Sequence, residues 1–307
     1  MRVGIAGAGR VGSAFTRALA SRSRSPVLSG VYARRRRAAT ALIRRCGVGR
    51  AFASPADLIG ASDVVILCVP DTALREVAKE MARAAPVQGK IFLHTSGVIG
   101  AAPLGVLKRQ GALTGTIHPL AVFAPVRARF TVDPIPRGIA FATSGDRITL
   151  GNVGRIVASL GGRPLAIPDR GRPAYHLAAS IVANHTTILA ALAMEILRTR
   201  AGLRGRPARA AFGSLLRTTA DRIEQEGPVA GLTGPAARAD IFTLRRHMSL
   251  IRRARGNLGL LYRILSAEGV RIALRRGDLT REKAAVALRL LLRRAPPRRP
   301  TSHRRTS

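Results

Sequence analysis

Short apolar runs alternate with amphipathic stretches along the first half of the chain. The clearest run is "DVVILCVPD" at residues 63–71, and "RVGIAG" at residues 2–7 is of the same kind. Continuous apolar runs of this length are typical of strands buried on both faces of a parallel sheet. The segments between the runs, such as residues 13–20, carry apolar residues at helical spacing. This alternation predicts a doubly wound α/β domain with a parallel sheet.

The pattern changes at Pro173, after which only helical periodicity is present. We therefore predict an α/β domain over residues 1–170, an all-α domain over residues 171–292 and a disordered, basic tail over residues 293–307. Before that change, strand patterns also occur at residues 27–33, 49–53, 90–97, 111–119, 138–146 and 161–167.

The longest apolar run spans residues 177–197 but includes Asn184, His185 and Glu195. Such residues are poor composition for a bilayer span, so we expect a buried helix and no membrane insertion. The first residues, "MRVGIAGAG", lack the features of a signal peptide. The only cysteines, Cys46 and Cys68, form no metal or disulfide pattern. We expect a cytoplasmic protein without a bound metal.

The chain has a net charge of +36, from 52 basic and 16 acidic residues, and most of the basic residues are arginine. Such a charge attracts polyanions, including nucleic acid. However, the arginines are scattered and aromatic residues make up only 4% of the chain. A general bias toward arginine is therefore the favoured explanation, and a nucleic-acid-binding surface that includes the tail is an alternative.

A glycine-rich turn, "GAGRVG", follows the first strand and opens the first helix. Gly7 allows the tight turn, Gly9 lets a pyrophosphate approach the backbone, and Gly12 allows close helix packing. Arg10 and Val11 lie between them, where the helix N-terminus favours an anion. The motif predicts dinucleotide binding, and a plain glycine-rich turn is the alternative.

The residues after the second strand favour NADP over NAD. An NAD site needs a carboxylate there for the ribose 2′-hydroxyl, but no Asp or Glu occurs between Gly12 and Asp57. Arg34 and Arg35 stand in that place and are suited to a 2′-phosphate. The alternative is a solvated start of the following helix.

Other candidates lie where strands end, because open α/β folds bind their ligands at the carboxyl edge of the sheet. His94 and His118 are predicted to contact the substrate. The remaining cofactor contacts are predicted at Val69, Pro70, Asp71, Thr95 and Ser96.

The segment "YHLAASIVANH" at residues 175–185 places His176, Ser180 and Asn184 along one stripe of a helix. The outer two lie about 12 Å apart along the axis. We predict that Asn184 and Ser180 bind near the reacting carbonyl or imine, and that His176 holds another part of the substrate or shuttles a proton. The alternative is that each is satisfied in the core or at a dimer contact.

In the helical half, "LTGPAARAD" breaks the helical pattern and presents Arg238 and Asp240, with His247 about two turns later. Arg238 suits a substrate carboxylate, and we predict that Asp240 belongs to the same site. The alternative is that the two side chains pair with each other and fix a loop.

Taken together, these motifs resemble the Rossmann-like proteins that carry a domain of unknown function, DUF2520. The resemblance covers about residues 2–274 and implies similarity to 6-phosphogluconate dehydrogenase, ketopantoate reductase and pyrroline-5-carboxylate reductase. It implies an NADP-binding Rossmann domain, an all-α C-terminal domain often used for homodimerisation, and a substrate site between them. The matching motifs are "GAGRVG", "VILCVPD", "LHTSG", "IHPL", "YHLAASIVANH" and "LTGPAARADIFTLRRH".

Three positions depart from the pattern of these proteins. Ala239 stands where the family has a glycine, and Ala121 stands where a polar residue is usual. Ser180 stands where better-known relatives carry a lysine that donates a proton, and a serine is too weak an acid to replace it unaided.

The sequence thus predicts an NADP(H)-dependent oxidoreductase. It would transfer a hydride to or from a C=O or C=N group of a small, anionic metabolite, with Asn184 and His176 as the first catalytic candidates. The alternative is a non-catalytic NADP sensor or scaffold, and a deazaflavin is a further candidate as second redox partner.

Overall fold

The computed structural model describes residues 1–21, 24–123, 134–251 and 257–292. The chain forms two compact units, of which the first spans Met1–Thr186 and the second begins at Thr187. The first is an α/β unit and the second is helical, which confirms the predicted fold class. The predicted boundary at residue 170 falls just before a helix that belongs to the first unit. The predicted disordered tail lies outside the described residues.

An eight-stranded sheet organises the first unit, in the order β3-β2-β1-β4-β5-β6-β7-β8. Every strand lies within a segment for which the sequence predicts one. The strands are β1 (Arg2–Ala6), β2 (Val27–Tyr32), β3 (Arg50–Ala51), β4 (Val64–Leu67), β5 (Ile91–His94), β6 (Leu113–Pro119), β7 (Ala140–Gly145) and β8 (Arg163–Ala166).

The fully parallel sheet that the alternation predicts is confirmed for β1 to β6 only. The next strand, β7, pairs antiparallel with β6, and β8 then pairs parallel with β7. A parallel neighbour needs a crossover connection, usually a helix, whereas an antiparallel neighbour does not. Pro134 and Pro136 stand in the connection before β7, where they do not favour a crossover helix.

Helices cover the sheet, and the strand β4 is buried along its whole length. One core includes Phe15, Ile66 and Ile156, and another includes Leu67, Met81 and Phe92. The helices of this unit are α1 (Arg10–Ala20), α2 (Arg36–Cys46), α3 (Pro55–Gly60), α4 (Leu74–Ala84), α5 (Gly105–Arg109), α6 (Arg147–Ser159) and α7 (Arg172–Ser180).

The strand order reverses beside β1. From β1 the chain adds β2 and β3 on one side, and it then returns to add β4, β5 and β6 on the other side. Open α/β sheets bind their ligands at such a switch point, outside the carboxyl ends of the strands. The fold therefore directs attention to the residues that follow β1, β2, β4, β5 and β6.

The long apolar helix is not buried as the sequence predicts. It runs from α7 through one π-helical turn, Ile181–His185, into α8 (Thr186–Arg200). No residue from 177 to 197 is buried, and Val182 is 73% exposed. By length and composition alone the helical stretch Asp169–Arg200 is apolar enough to cross a membrane, with a mean hydropathy of 1.6. Exposed apolar surfaces of this kind are typical of sites that contact another molecule.

The second unit is built from helices alone over its described residues. Its core contains Leu244, Val270 and Leu291. Gly227, with φ of +81°, and Pro228 kink the longest helix near its end. After α8, the helices are α9 (Gly205–Ala230), α10 (Ile241–Ile251), α11 (Leu258–Arg276) and α12 (Arg281–Leu292).

Candidate functional site

Two glycines of the turn after β1 are required by the packing of the chain itself. Gly7 has φ of +116°, and a Cβ there would lie 2.4 Å from the carbonyl oxygen of Cys68. A Cβ on Gly12 would lie 1.9 Å from the carbonyl oxygen of Gly7. Any side chain at either position would therefore push the first helix away from the sheet.

Gly9 is different, because no contact among the described residues requires a glycine there. Its φ of −74° suits any residue, and no atom lies within 4 Å of the place that a Cβ would take. Gly9 and Arg10 are exposed at the N-terminus of α1, with Val11 partly buried behind them. The open space above Gly9 fits an anion that approaches the backbone amides at a helix N-terminus.

The end of β2 carries the residues predicted to select the cofactor. Arg34 and Arg35 follow Tyr32 at the carboxyl end of the strand, and both are exposed. Arg35 is the N-terminal cap residue of α2 but makes no side-chain capping bond. Both residues are thus accessible to solvent at this end of the sheet, and they stay predicted contacts for an adenosine 2′-phosphate.

The residues after β4 also lie at this edge. Val69 is partly buried, whereas Pro70 and Asp71 are exposed. Beside them Thr95, which follows β5, hydrogen-bonds to the buried thiol of Cys68, and burial raises the pKa of that thiol to about 12. These residues form the wall of the sheet edge between the glycine turn and the end of β5.

His94 and Ser96 are buried side chains at this same edge of the sheet. His94 is fully buried; its Nδ1 accepts a hydrogen bond from the amide of Ser96 at 3.2 Å, and its Nε2 lies 2.9 Å from the carbonyl oxygen of Gly100. Ser96 Oγ accepts from the amide of Ile99 at 3.1 Å. Both side chains are thus engaged by the backbone of this loop, and the substrate contact of His94 and the cofactor contact of Ser96 stay predictions.

Arg172 is a buried residue that the sequence analysis missed. Its side chain is fully buried, and its Nη1 donates to the carbonyl oxygen of Ser96 at 3.1 Å. Its Nη2 donates to Thr116 Oγ1 and to the carbonyl oxygen of Ala142. One guanidinium thus joins the start of α7 to the loop after β5 and to β6 and β7. Among so many arginines, no sequence signal distinguishes this one.

Three aromatic side chains meet beside this arginine. His118 Nδ1, on β6, lies 3.0 Å from the hydroxyl oxygen of Tyr175. The rings of His118 and His176 lie edge to face with centroids 6.0 Å apart. Gly97 lies between these two histidines, because a Cβ there would be 2.6 Å from His176 Cδ2 and 2.8 Å from His118 Nε2. The structure therefore brings together the predicted residues His118 and His176, and it adds Tyr175 and Gly97.

The protonation states at this cluster follow from burial. Burial and the nearby charges of His176 and Arg172 lower the pKa of His118 from 6.5 to about 4. Burial also raises the pKa of Tyr175, and the positive charge of Arg172 opposes that rise. At neutral pH the cluster therefore contains a neutral imidazole at His118 and a protonated phenol at Tyr175.

Ser180 and Asn184 form a separate pair farther along the helix. Asn184 Nδ2 donates to Ser180 Oγ at 3.0 Å. Asn184 lies inside the π-helical turn, a distortion that often occurs at functional sites. The carbonyl oxygen of the amide and the hydroxyl hydrogen of the serine are not used in this bond, so the pair has a donor and an acceptor to offer a ligand.

The candidates Arg238, Asp240 and His247 lie in the second unit. Asp240 caps α10, because its carboxylate accepts from the amide of Thr243 at 3.0 Å and from the hydroxyl of Thr243 at 2.7 Å. These bonds hold the pKa of Asp240 below its usual value. Asp240 thus has a structural role as a helix cap, and its membership of the substrate site stays a prediction. Arg238 is exposed and remains a predicted substrate contact.

His247 is held by a neighbouring helix. Its Nδ1 lies 2.7 Å from the hydroxyl oxygen of Tyr262 on α11. The second unit thus has a histidine–tyrosine pair of its own. Over the described residues, no group of three or more His, Cys, Asp or Glu side chains is placed to hold a metal ion.

Comparison with known proteins identifies both parts of the chain. Residues 1–119 match a Rossmann-like domain, and residues 139–268 match a domain of unknown function, DUF2520. The chain is therefore a Rossmann-like protein with a DUF2520 domain, as the motifs predict. No curated protein matches it significantly in sequence.

Solved structures share this fold at low sequence identity. A proposed NADP oxidoreductase from Bacteroides fragilis is 22% identical with a TM-score of 0.69, over 87% of this chain and 96% of that one. A pyrroline carboxylate reductase from Plasmodium falciparum with NADP bound is 11% identical with a TM-score of 0.57, over 94% and 98% of the two chains. A reductive aminase from Aspergillus terreus, in complex with NADPH and ethyl levulinate, is 17% identical with a TM-score of 0.58, over 93% and 97%.

Proposed function

We propose that this protein is an NADP(H)-dependent oxidoreductase that acts on a C=O or C=N group of a small, anionic metabolite. The observation that carries the proposal is the open space above Gly9. Over the described residues, packing requires Gly7 and Gly12 but places no atom within 4 Å of a Cβ on Gly9, and this open space at the N-terminus of α1 can admit the pyrophosphate of a dinucleotide. The structural neighbours with bound NADP or NADPH support the same proposal.

The residues at the sheet edge divide the work of binding. The amides at the N-terminus of α1 would hold the pyrophosphate, and Arg34 with Arg35 would hold the 2′-phosphate beyond β2. The other half of the dinucleotide would lie on the side of β4, β5 and β6, where Thr95 and the His118 cluster lie. NADPH supplies the hydride when bound.

The cluster and the helix stripe would act on the substrate. His176 is exposed beside His118, so it can bind a polar or anionic group of a substrate. Asn184 and Ser180 would orient a second polar group through the donor and acceptor that their own bond leaves unused. The surplus of positive charge favours a substrate with a carboxylate.

We also propose that the protein is a cytoplasmic homodimer in which a second copy covers the apolar helix from α7 to α8. The exposure of Leu177, Val182 and Ile188 on that helix supports a partner. The free thiols of Cys46 and Cys68 agree with a reducing compartment.

The proposal is tested by binding and by turnover. NADPH fluorescence should give saturable binding that is at least about tenfold tighter than that of NADH, since Arg34 and Arg35 offer charged hydrogen bonds to the 2′-phosphate alone. NADPH oxidation is then followed with levulinate, ethyl levulinate, pyruvate and pyrroline-5-carboxylate. Levulinate and its ester differ only in the carboxylate, so a preference for levulinate would support an anionic substrate.

The outcomes separate the alternatives. Absence of NADPH binding would overturn the proposal as a whole. Binding without oxidation of NADPH by any of these compounds would favour the non-catalytic sensor.

A further inference from the structure

The His118 cluster, which consists of His118, Tyr175 and His176, contains a phenol in polar contact with an imidazole. Tyr175 is partly buried at the start of α7, and its hydroxyl contacts His118 Nδ1 at 3.0 Å. Their rings meet edge to face at 86° with centroids 5.7 Å apart. We propose that Tyr175 is the proton donor of the reduction and that His118 is the positioning residue that holds its oxygen. This inference rests on the proposed oxidoreductase function.

Tyr175 suits this role better than the histidine beside it. A proton donor must carry its proton at working pH, and burial keeps the phenol of Tyr175 protonated by raising its pKa. His118 has a pKa of about 4, so it is a neutral imidazole at pH 7 and is not the acid. A neutral imidazole still has one N–H group, which can donate from Nδ1 to the phenol oxygen.

The positive charge of Arg172 partly offsets the cost that burial imposes on the phenolate left after transfer. Arg172, three residues before Tyr175, is fully buried and lowers the pKa of that phenol by its charge. The charged and titratable groups that act on His118 are His176, Arg172 and Asp71. Asp169 forms an ion pair with Arg172 at 3.9 Å. The carboxylate of Asp169 is half exposed, whereas the guanidinium of Arg172 is fully buried. Arg172 is therefore the group of this cluster that stabilises negative charge on the oxygen of Tyr175, against the opposing effect of burial.

The chemistry balances for a carbonyl substrate. When bound, NADPH would supply a hydride to the carbonyl carbon, and the carbonyl oxygen, which takes the π electrons of the C=O bond, would accept the proton of Tyr175. The phenolate then recovers a proton from solvent. An iminium ion already carries its proton and needs no donor, and its charge would be repelled by Arg172. The inference therefore names a carbonyl compound as the substrate class.

The experiment uses Tyr175→Phe and two substitutions of His118, with Tyr262→Phe as the matched control. Tyr262 makes the same kind of bond, 2.7 Å from His247 Nδ1, but in the second unit. The assay is NADPH oxidation with the carbonyl compound of the panel above that the native protein reduces fastest. Tyr175→Phe should lower kcat by about 10² to 10⁴, with NADPH affinity unchanged, and Tyr262→Phe should leave kcat unchanged.

The His118 variants separate positioning from packing. In His118→Asn the side-chain NH₂ can replace Nδ1 as a donor, so kcat should stay within about tenfold of native. His118→Leu retains bulk but no donor, and its kcat should fall toward that of Tyr175→Phe. Equal effects of the two His118 substitutions would contradict the positioning role.

Fluorinated tyrosine gives a measurement that would not change if Tyr175 had only a structural role. All tyrosines are replaced by 3,5-difluorotyrosine, whose phenol is a stronger acid. As pH rises through the lowered pKa of the fluorinated phenol at residue 175, kcat should fall in the labelled native protein. It should not fall in labelled Tyr175→Phe. Native kcat in Tyr175→Phe, or a pH profile that labelling leaves unchanged, would overturn the inference while NADPH binding and turnover still supported the proposed function. A native protein without NADPH binding or turnover would overturn both.

Discussion

At the scale of single residues, the three glycines of the first turn have different physical reasons. Gly12 is required by its contact with the backbone of Gly7, whereas Gly9 faces open space. Sequence alone assigns all three to one motif. The structure separates the glycines that packing requires from the glycine that packing over the described residues does not require.

This difference gives a test of dinucleotide binding. Gly9→Ala should lower the free energy of unfolding by no more than about 1 kcal/mol, because an alanine is free of strain at that φ and loses only the preference for glycine at a helix N-cap. Its NADPH affinity should fall at least about tenfold, because the new methyl group occupies the anion's space. Urea unfolding and NADPH titration measure the two quantities. Gly12→Ala is the matched control and should lose stability instead. Native NADPH affinity in Gly9→Ala would contradict the assignment of this turn.

A second residue-scale prediction concerns His118 and pH. Its pKa in the folded chain is about 4, below the ordinary value of 6.5. The unfolded chain therefore binds a proton first as pH falls, so stability is fully present above pH 6.5 and is lost progressively toward pH 4. The free energy of unfolding should decline by at most about 1.4 kcal/mol per pH unit from this group.

The measurement compares urea unfolding of native protein and His118→Asn between pH 7 and pH 4. The variant should show a shallower decline, since it lacks the titrating imidazole. His94, whose pKa is also lowered by burial, is present in both proteins and does not affect the difference. Parallel stability curves would show that His118 is not buried as described.

Sequence reasoning named some members of the His118 cluster and its surroundings and missed others for a physical reason. His118 and His176 were predicted because each stands at a strand end or on a polar stripe, which are local patterns. Arg172 and Tyr175 act through contacts with residues 30 to 76 positions away. Local periodicity contains no information about such contacts.

At the scale of elements, the turn before α10 contains a strained residue. Ala239 has φ of +49°, a left-handed conformation that disfavours any residue with a Cβ. The proteins that this chain resembles have a glycine at this position. The strain identifies the conformational reason for that glycine.

Ala239→Gly should therefore stabilise the protein by about 1 kcal/mol, because the relieved strain exceeds the added freedom of the unfolded chain. Thermal unfolding should show a higher Tm for this variant. Ala237→Gly, at a buried position nearby, is the control and should lower Tm. A lower Tm for Ala239→Gly would show that the left-handed conformation is not the native one.

Most elements of the first unit were predictable because each has a local signal. Buried strands are apolar runs, and Ser54 caps α3 with Pro55 in its first turn, a combination typical of helix starts. The direction of β7 was not predictable in this way, because an apolar run reads the same in either direction. The exposure of the helix from α7 to α8 was also missed. An apolar pattern predicts that a helix is covered, but it does not distinguish cover by the same chain from cover by another molecule.

At the scale of the whole molecule, that exposed helix predicts assembly. Val182→Glu should convert a dimer into monomers, because a buried, unpaired carboxylate would be placed in the interface. Light scattering coupled to size-exclusion chromatography measures the mass. Val48→Glu is the control, since Val48 is 46% exposed in the first unit, outside this helix, and it should leave the mass unchanged. A native protein of monomeric mass would contradict the proposed dimer.

The net charge of +36 also belongs to the whole molecule. It agrees with the capture of an anionic cofactor and substrate at rates that fall as salt screens the charge. Nucleic-acid binding through the same charge stays a prediction.

Arg172 also constrains the order in which the unit is completed during synthesis. It comes after every group that it binds, on Ser96, Gly97, Thr116 and Ala142. A nascent chain on the ribosome can therefore complete its first strands and the glycine turn before the segment that fixes the loop at Gly97 has been made. Until α7 emerges, the glycine-rich turn can form while the loop at Gly97 still lacks its contacts with Arg172.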